Sequence, residues 1–135
     1  MKGILADVNV VGQVAYLAKL MQAEPWTEFW HDLGLTLRRF EDIGLSETAK
    51  DVEIWHRCQE HELVLITDNR NEEAADSLMY AIRHFNTPAS LPVFTIGDLT
   101  RFATNREYVE RVLRSLYDYL LRIDSVRGTG RLYLP

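Results

Sequence analysis

Apolar positions along this chain fall into two kinds of run. Short continuous runs occupy residues 3–7, 63–67 and 91–96, and acids stand at or just past their ends: Asp7, Asp68 and Asp98. Runs of that length and continuity predict buried strands, and the β-rich Leu-Val-Leu-Ile-Thr of residues 63–67 is the clearest. Between the strands the apolar spacing becomes helical. Residues 11–23 place Val11, Val14, Leu17, Ala18 and Met21 on one face, which predicts an amphipathic helix. Glu24-Pro25 should end it, because the residue before a proline is pushed out of the α region. Residues 26–33 predict a short second helix, with Pro25 suited to its start and Gly34 as its stop. Residues 35–40 are expected to form a second strand, with a helix as the alternative, and residues 41–45 a loop.

Residues 47–61 predict a helix whose apolar side chains are Val52, Ile54, Trp55 and Cys58. Residues 72–84 predict another, with Ala75, Leu78, Met79 and Ile82 on one face, and residues 86–92 a loop. The longest helix is expected over residues 104–123, striped by Val109, Val112, Leu113, Leu116 and Leu120. Gly128 and Gly130 mark a turn before a small final strand at residues 131–134. Alternating strands and helices with short connections predict a single α/β domain spanning residues 1–135. Its architecture should be a three-layer α/β/α sandwich around a mostly parallel sheet of four or five strands.

Composition narrows the class. The 135 residues are 47% hydrophobic and 26% charged, ordinary for a globular domain. No apolar run approaches the roughly 20 residues that span a bilayer, and the chain goes directly into a strand with no leader pattern. A single cysteine, Cys58, excludes an internal disulfide and a cysteine-rich zinc site. These absences predict a cytoplasmic protein without a membrane partner. The net charge of −5 is uneven: residues 1–100 carry 8 Lys/Arg against 16 Asp/Glu, and residues 101–135 carry 7 against 4. The overall field opposes a nucleic-acid partner, while excess carboxylates suit divalent cations.

Three acids stand out by position. Strands 1 and 3 of a parallel sheet deliver their ends to one edge, so Asp7 and Asp68 should share a rim. Carboxylates that close repel unless a cation lies between them. Asp51 falls among the apolar side chains of its helix, where an acid needs a partner or a metal. Each has a local alternative. Asp7 is a favoured helix cap, Asp68 and Asn69 could shape a turn, and Thr48-Ala-Lys-Asp51 has capping-box spacing. Glu41, Glu47, Glu72 and Asp98 are further candidates for a fourth acid. Arg38, Arg39 and Arg70 are candidates for phosphate contacts, Arg70 because it stands two residues past Asp68, and plain surface arginines are the favoured alternative. The histidines lack metal-site spacing, the glycines form no phosphate loop, and the serines lack a nucleophile elbow. On the last long helix Arg106, Glu110, Arg114, Asp118 and Arg122 are spaced as a ladder of ion pairs rather than a nucleic-acid stripe.

The order of these motifs resembles a family. Asp7-Val-Asn9 after a first strand is similar to the opening Asp-x-Asn of PIN-like domains, the fold of VapC-type toxin nucleases. Residues 40–71 look like the compact PIN-like relatives, in which a Gly-Leu-Ser loop precedes an Asp-x-x-Ile helix and a Leu-x-Thr-x-Asp strand end. The chain departs from that pattern at Asn69, where the family's later acid usually stands, and at Asn71-Glu72, which replaces an Asp-Phe pair. The resemblance implies a ribonuclease that uses Mg²⁺ or Mn²⁺ held by Asp7, Asp51 and Asp68. Asn9 and Asn69 would then orient ligands or water. RNA is the implied substrate, with room for a protein antitoxin and a homodimer. The alternative is an inactive PIN-like binding module. A phosphoacceptor receiver domain is disfavoured, because it needs a lysine near the last strand and the chain has only Lys2, Lys19 and Lys50.

Overall fold

The computed structural model describes residues 1–70 and 77–135. Five strands form one sheet: β1 (Gly3–Ala6), β2 (Leu37–Arg38), β3 (Leu63–Thr67), β4 (Val93–Ile96) and β5 (Arg131–Leu134). Their order is β2-β1-β3-β4-β5 and every pair is parallel. Side chains alternate across the strands, as the period of two requires. Ile4, Ala6, Val64, Ile66, Phe94 and Ile96 join one hydrophobic cluster. Leu5, Leu63, Leu65 and Val93 join the other.

Helices cover both clusters, giving the expected three layers. On the first face lie α1 (Val11–Met21), α2 (Thr27–Leu33), α5 (Leu99–Thr104) and α6 (Arg106–Leu121). On the second lie α3 (Asp51–Glu60) and α4 (Leu78–Phe85). A short α7 (Ile123–Val126) leads towards β5. Among the described residues no helix is long and apolar enough to cross a membrane.

The layering has one unusual consequence. The crossovers β1 to β2, β2 to β3 and β3 to β4 share one hand, judged by direction along the sheet and face covered. The crossover from β4 to β5 moves in the same direction as its predecessor but over the opposite face, so it has the other hand. Parallel crossovers are overwhelmingly of one hand, which makes this a departure from the rule. It lays α6 beside α1. Arg131 and Tyr133 point to the second face, and Tyr133 is exposed.

Several boundaries differ from expectation, each for a local reason. The second strand shrinks from six residues to Leu37–Arg38, because the Arg39 N–H turns to the Asp42 carboxylate at 2.8 Å and Phe40–Ile43 winds into a 3-10 turn. β2 sits close against β1: the Ile4 N–H donates to the Thr36 carbonyl at 2.9 Å. A Cβ on Gly3 would meet that carbonyl oxygen. The helix expected from residue 47 begins at Asp51, since the Thr48 N–H is held by the Ser46 hydroxyl at 3.2 Å. The helix expected over 72–84 is described as α4 from Leu78, capped by the Ser77 hydroxyl accepting from the Tyr80 N–H, and residues 71–76 lie outside the described residues. The last long helix is preceded by the separate α5. Asp98 caps α5 and the extended Asn105 caps α6 through the Tyr108 N–H.

Candidate functional site

The strand order reverses between β1 and β3, since β1 leads first to β2 on one side and the chain then returns to the other. In open α/β sheets the crevice beyond the carboxyl ends at such a switch point is where ligands bind. Asp7 leaves β1 at that point. The register Ala6 opposite Ile66 places Asp7 beside Thr67, and the Thr67 hydroxyl donates to the Asp7 carboxylate at 2.6 Å. Asp7 is only 6% exposed. It faces no basic side chain with an ion pair among the described residues.

Burial raises the Asp7 carboxyl above its usual range. The Thr67 hydroxyl and the Val8 N–H work the other way, and the charges of Asp51 and Asp68 add to the rise. Asp51 is linked to Asp7 through hydrogen bonds, and Asp68 directly follows Thr67 at the end of β3.

Asp51 does not cap its own helix. Lys50 takes the N-cap position of α3 without a side-chain bond, and Asp51 is the first residue of the helix. Its Oδ2 accepts from Asn69 Nδ2 at 2.9 Å and from the Leu78 N–H at 3.2 Å. It thus serves an orphan donor in the first turn of α4, across the rim from its own chain position. The Asn69 N–H in turn donates to Thr67 Oγ1 at 3.0 Å. A continuous hydrogen-bonded path runs from Asp51 through Asn69 and Thr67 to Asp7.

The other candidates are spread around this path. Asp68 and Asn69 are half-buried just past β3, whereas Asn9 and Arg70 are exposed. Glu41 and Glu47 are exposed and line, with Val8 and Arg39, a shallow depression of about 270 Å³ on the β2 side of Asp7. Asp98 caps α5 by accepting from the Arg101 N–H at 3.0 Å. Glu72 lies outside the described residues. Among the described residues no three His, Cys, Asp or Glu side chains stand as a closed set that could hold a metal ion. A cation at Asp7 would have to draw further oxygens towards it.

Two further residues build this rim: Thr67, which the sequence offered only as the threonine of a strand-end motif, and Arg131, which carried no signal of its own. Thr67 is the strand-end threonine that orients Asp7. Arg131, from β5, donates through Nη1 to the Asn69 carbonyl at 2.8 Å and to the Thr95 hydroxyl, and through Nε to the Met79 sulfur. Its guanidinium reaches the second face beside α4 because the last crossover left that part of β5 without a helix of its own. No family model matches the chain, and neither a curated protein nor a solved structure matches it.

Proposed function

We propose that the protein is a divalent-metal-dependent ribonuclease of the PIN-like kind, hydrolysing phosphodiester bonds of RNA at the rim around Asp7. The observation that carries this reading is Asp7 itself. It is a buried carboxylate at the carboxyl end of β1, at the switch point of the sheet, held by the Thr67 hydroxyl and making no ion pair among the described residues, and a charge so placed is costly unless it is paired. An oxygen-rich site of that kind fits Mg²⁺ or Mn²⁺ rather than zinc.

When bound, such a cation supplies positive charge opposite the phosphate and makes water a better nucleophile at neutral pH. The protein's own part is orientation. Thr67 holds one Asp7 oxygen, and Asp51 offers Oδ1 while Oδ2 is occupied by Asn69 and Leu78. Asp68 adds a third carboxylate at the strand end. Asn69 is held through its backbone by Thr67 and Arg131 and through its side chain by Asp51, as supporting residues around a metal must be. In this reading the exposed Arg70 would meet a phosphate, and the exposed Asn9 would orient ligands or water. A protein antitoxin and a homodimer accompany this reading as expectations of the resemblance, and a cytoplasmic location as an expectation of the composition.

A second reading is a PIN-like binding module without activity. It is favoured by Asp51, whose bonds to Asn69 and Leu78 give it a structural task that needs no metal. One experiment separates the two. Cleavage of a mixed RNA pool is followed with Mn²⁺ for wild type, Asp7→Asn and Asp51→Asn. The nuclease reading expects cleavage by wild type alone. Cleavage unchanged by either substitution, or absent with every metal, ends it.

A further inference from the structure

The hand of the last crossover places α6 alongside α1, and the two helices do not close against each other along their length. Between α1 and the α5–α6 corner lies a groove of about 530 Å³, walled by Tyr16, Phe102 and Arg106 and floored near Gly12. A second hollow of about 260 Å³ continues it towards Trp26 and shares Arg106 and Val109 with the first. The groove lies on the same side of the sheet as the strand ends: Gly12 and Gln13 are in the first turn of α1, a few residues past Asp7, and α5 begins just past the carboxyl end of β4.

We infer that this groove holds single-stranded RNA leading to or from the rim, with a base against Tyr16 and a phosphate at Arg106. The inference rests on the nuclease reading for its substrate. Tyr16 is 44% exposed, and Phe102 braces it edge-to-face at 6.3 Å. An exposed ring beside a cationic side chain is the composition of a sequence-tolerant stacking site. Arg106 makes no ion pair among the described residues. The expected ladder along α6 closes at its last rung, Asp118 to Arg122 at 3.1 Å, whereas Arg114 lies over the Trp26 ring. Arg101 and Arg111 both lie over Tyr108. From Arg101 to Arg114 the strip therefore presents four arginines against Glu107 and Glu110. That local excess is opposite in sign to the acidic first hundred residues and suits a polyanion. Gly12 adds room, because a Cβ there would meet nothing within 4 Å.

The test is fluorescence anisotropy of a fluorescein-labelled oligouridylate about 12 nucleotides long, within the site sizes such grooves span, in EDTA so that no hydrolysis occurs. Wild type is expected to bind. Tyr16→Ala should weaken binding by on the order of tenfold, and Tyr16→Phe should restore it. Arg106→Ala should weaken binding and lower the slope of log affinity against log salt by about 0.7, the value for one lost single-strand phosphate contact. Gly12→Leu should fill the groove and weaken binding without lowering the melting temperature, since glycine is the poorer helix former. Absence of binding by wild type, or equal binding by all these folded variants, overturns the groove, and a groove that instead takes a protein helix gives that second result. The two proposals fail separately. Groove-dependent binding without Mn²⁺-dependent cleavage removes the nuclease and keeps the groove, and Asp7-dependent cleavage with indifferent groove variants does the reverse.

Discussion

Thr67 donates its hydroxyl to the Asp7 carboxylate at 2.6 Å, and both side chains are buried at the carboxyl ends of adjacent strands. The pair fixes where the acid points. Thr67→Val keeps the shape and removes the donor, leaving a buried carboxylate oxygen without its bond. The expected cost is about 1–3 kcal/mol, measured by urea unfolding at neutral pH. Adding Asp7→Asn to Thr67→Val should recover part of the loss, because the group left unsatisfied is then uncharged.

Asp7 also sets a pH dependence. Its carboxyl is raised from 3.8, first by burial, with the charges of Asp51 and Asp68 adding to it. Below 3.8 the group is neutral in both folded and unfolded chains and contributes nothing. As pH climbs towards the raised folded value, the unfolded chain releases its proton first, so stability falls; above that value the deficit is constant. Asp7→Asn lacks the effect. Its stability relative to wild type should therefore rise as pH climbs from 3.8 to the raised folded value and then level off. Mn²⁺ at about 100 times its dissociation constant should stabilise wild type by about 2.7 kcal/mol and leave the variant unmoved. Equal thermal shifts in both proteins would remove Asp7 from the cation site.

Asp51 separates charge from hydrogen bonding. Asp51→Ala loses the bonds to Asn69 and the Leu78 N–H and is expected to cost about 1–2 kcal/mol, the range for losing a helix-terminus acceptor. Asp51→Asn keeps an acceptor for Leu78 and should cost less, yet lose RNA cleavage as fully as the alanine variant. Thermal melts and cleavage assays on the pair check both statements.

Cys58 is 2% exposed, and burial pushes its thiol up, with the Asp7 charge adding to the rise. Native protein should therefore resist a thiol reagent at neutral pH. Reaction of the single thiol should follow unfolding in denaturant.

What was legible in the sequence was what short-range pattern encodes. Leu63–Thr67 is a strand at the residues expected, since continuous β-branched and aliphatic side chains leave few alternatives. The parallel three-layer sheet followed from alternation. Other features depend on contacts far along the chain. Asp51 lay at a capping-box spacing, yet its bonds go to Asn69 and Leu78, 18 and 27 residues away. The break between α5 and α6 turned on Asn105, one side chain whose cap interrupts an otherwise helical run. The opposite hand of the last crossover left no trace in the apolar stripe of α6, because that stripe can pack on either face of a sheet. Arg131 gained its place at the rim only through that choice.

The two-residue strand β2 is held beside β1 across Gly3, where any Cβ would collide with the Thr36 carbonyl. Brevity and the charge of Arg38 make β2 a poor template for a foreign strand, so it works as a guard on the apolar strand behind it. Gly3→Val should lift the guard and bare the edge of Ile4 and Leu5. Such a protein is expected to self-associate in sedimentation experiments under conditions where the wild type does not, so the smallest side chain in the sheet governs colloidal behaviour.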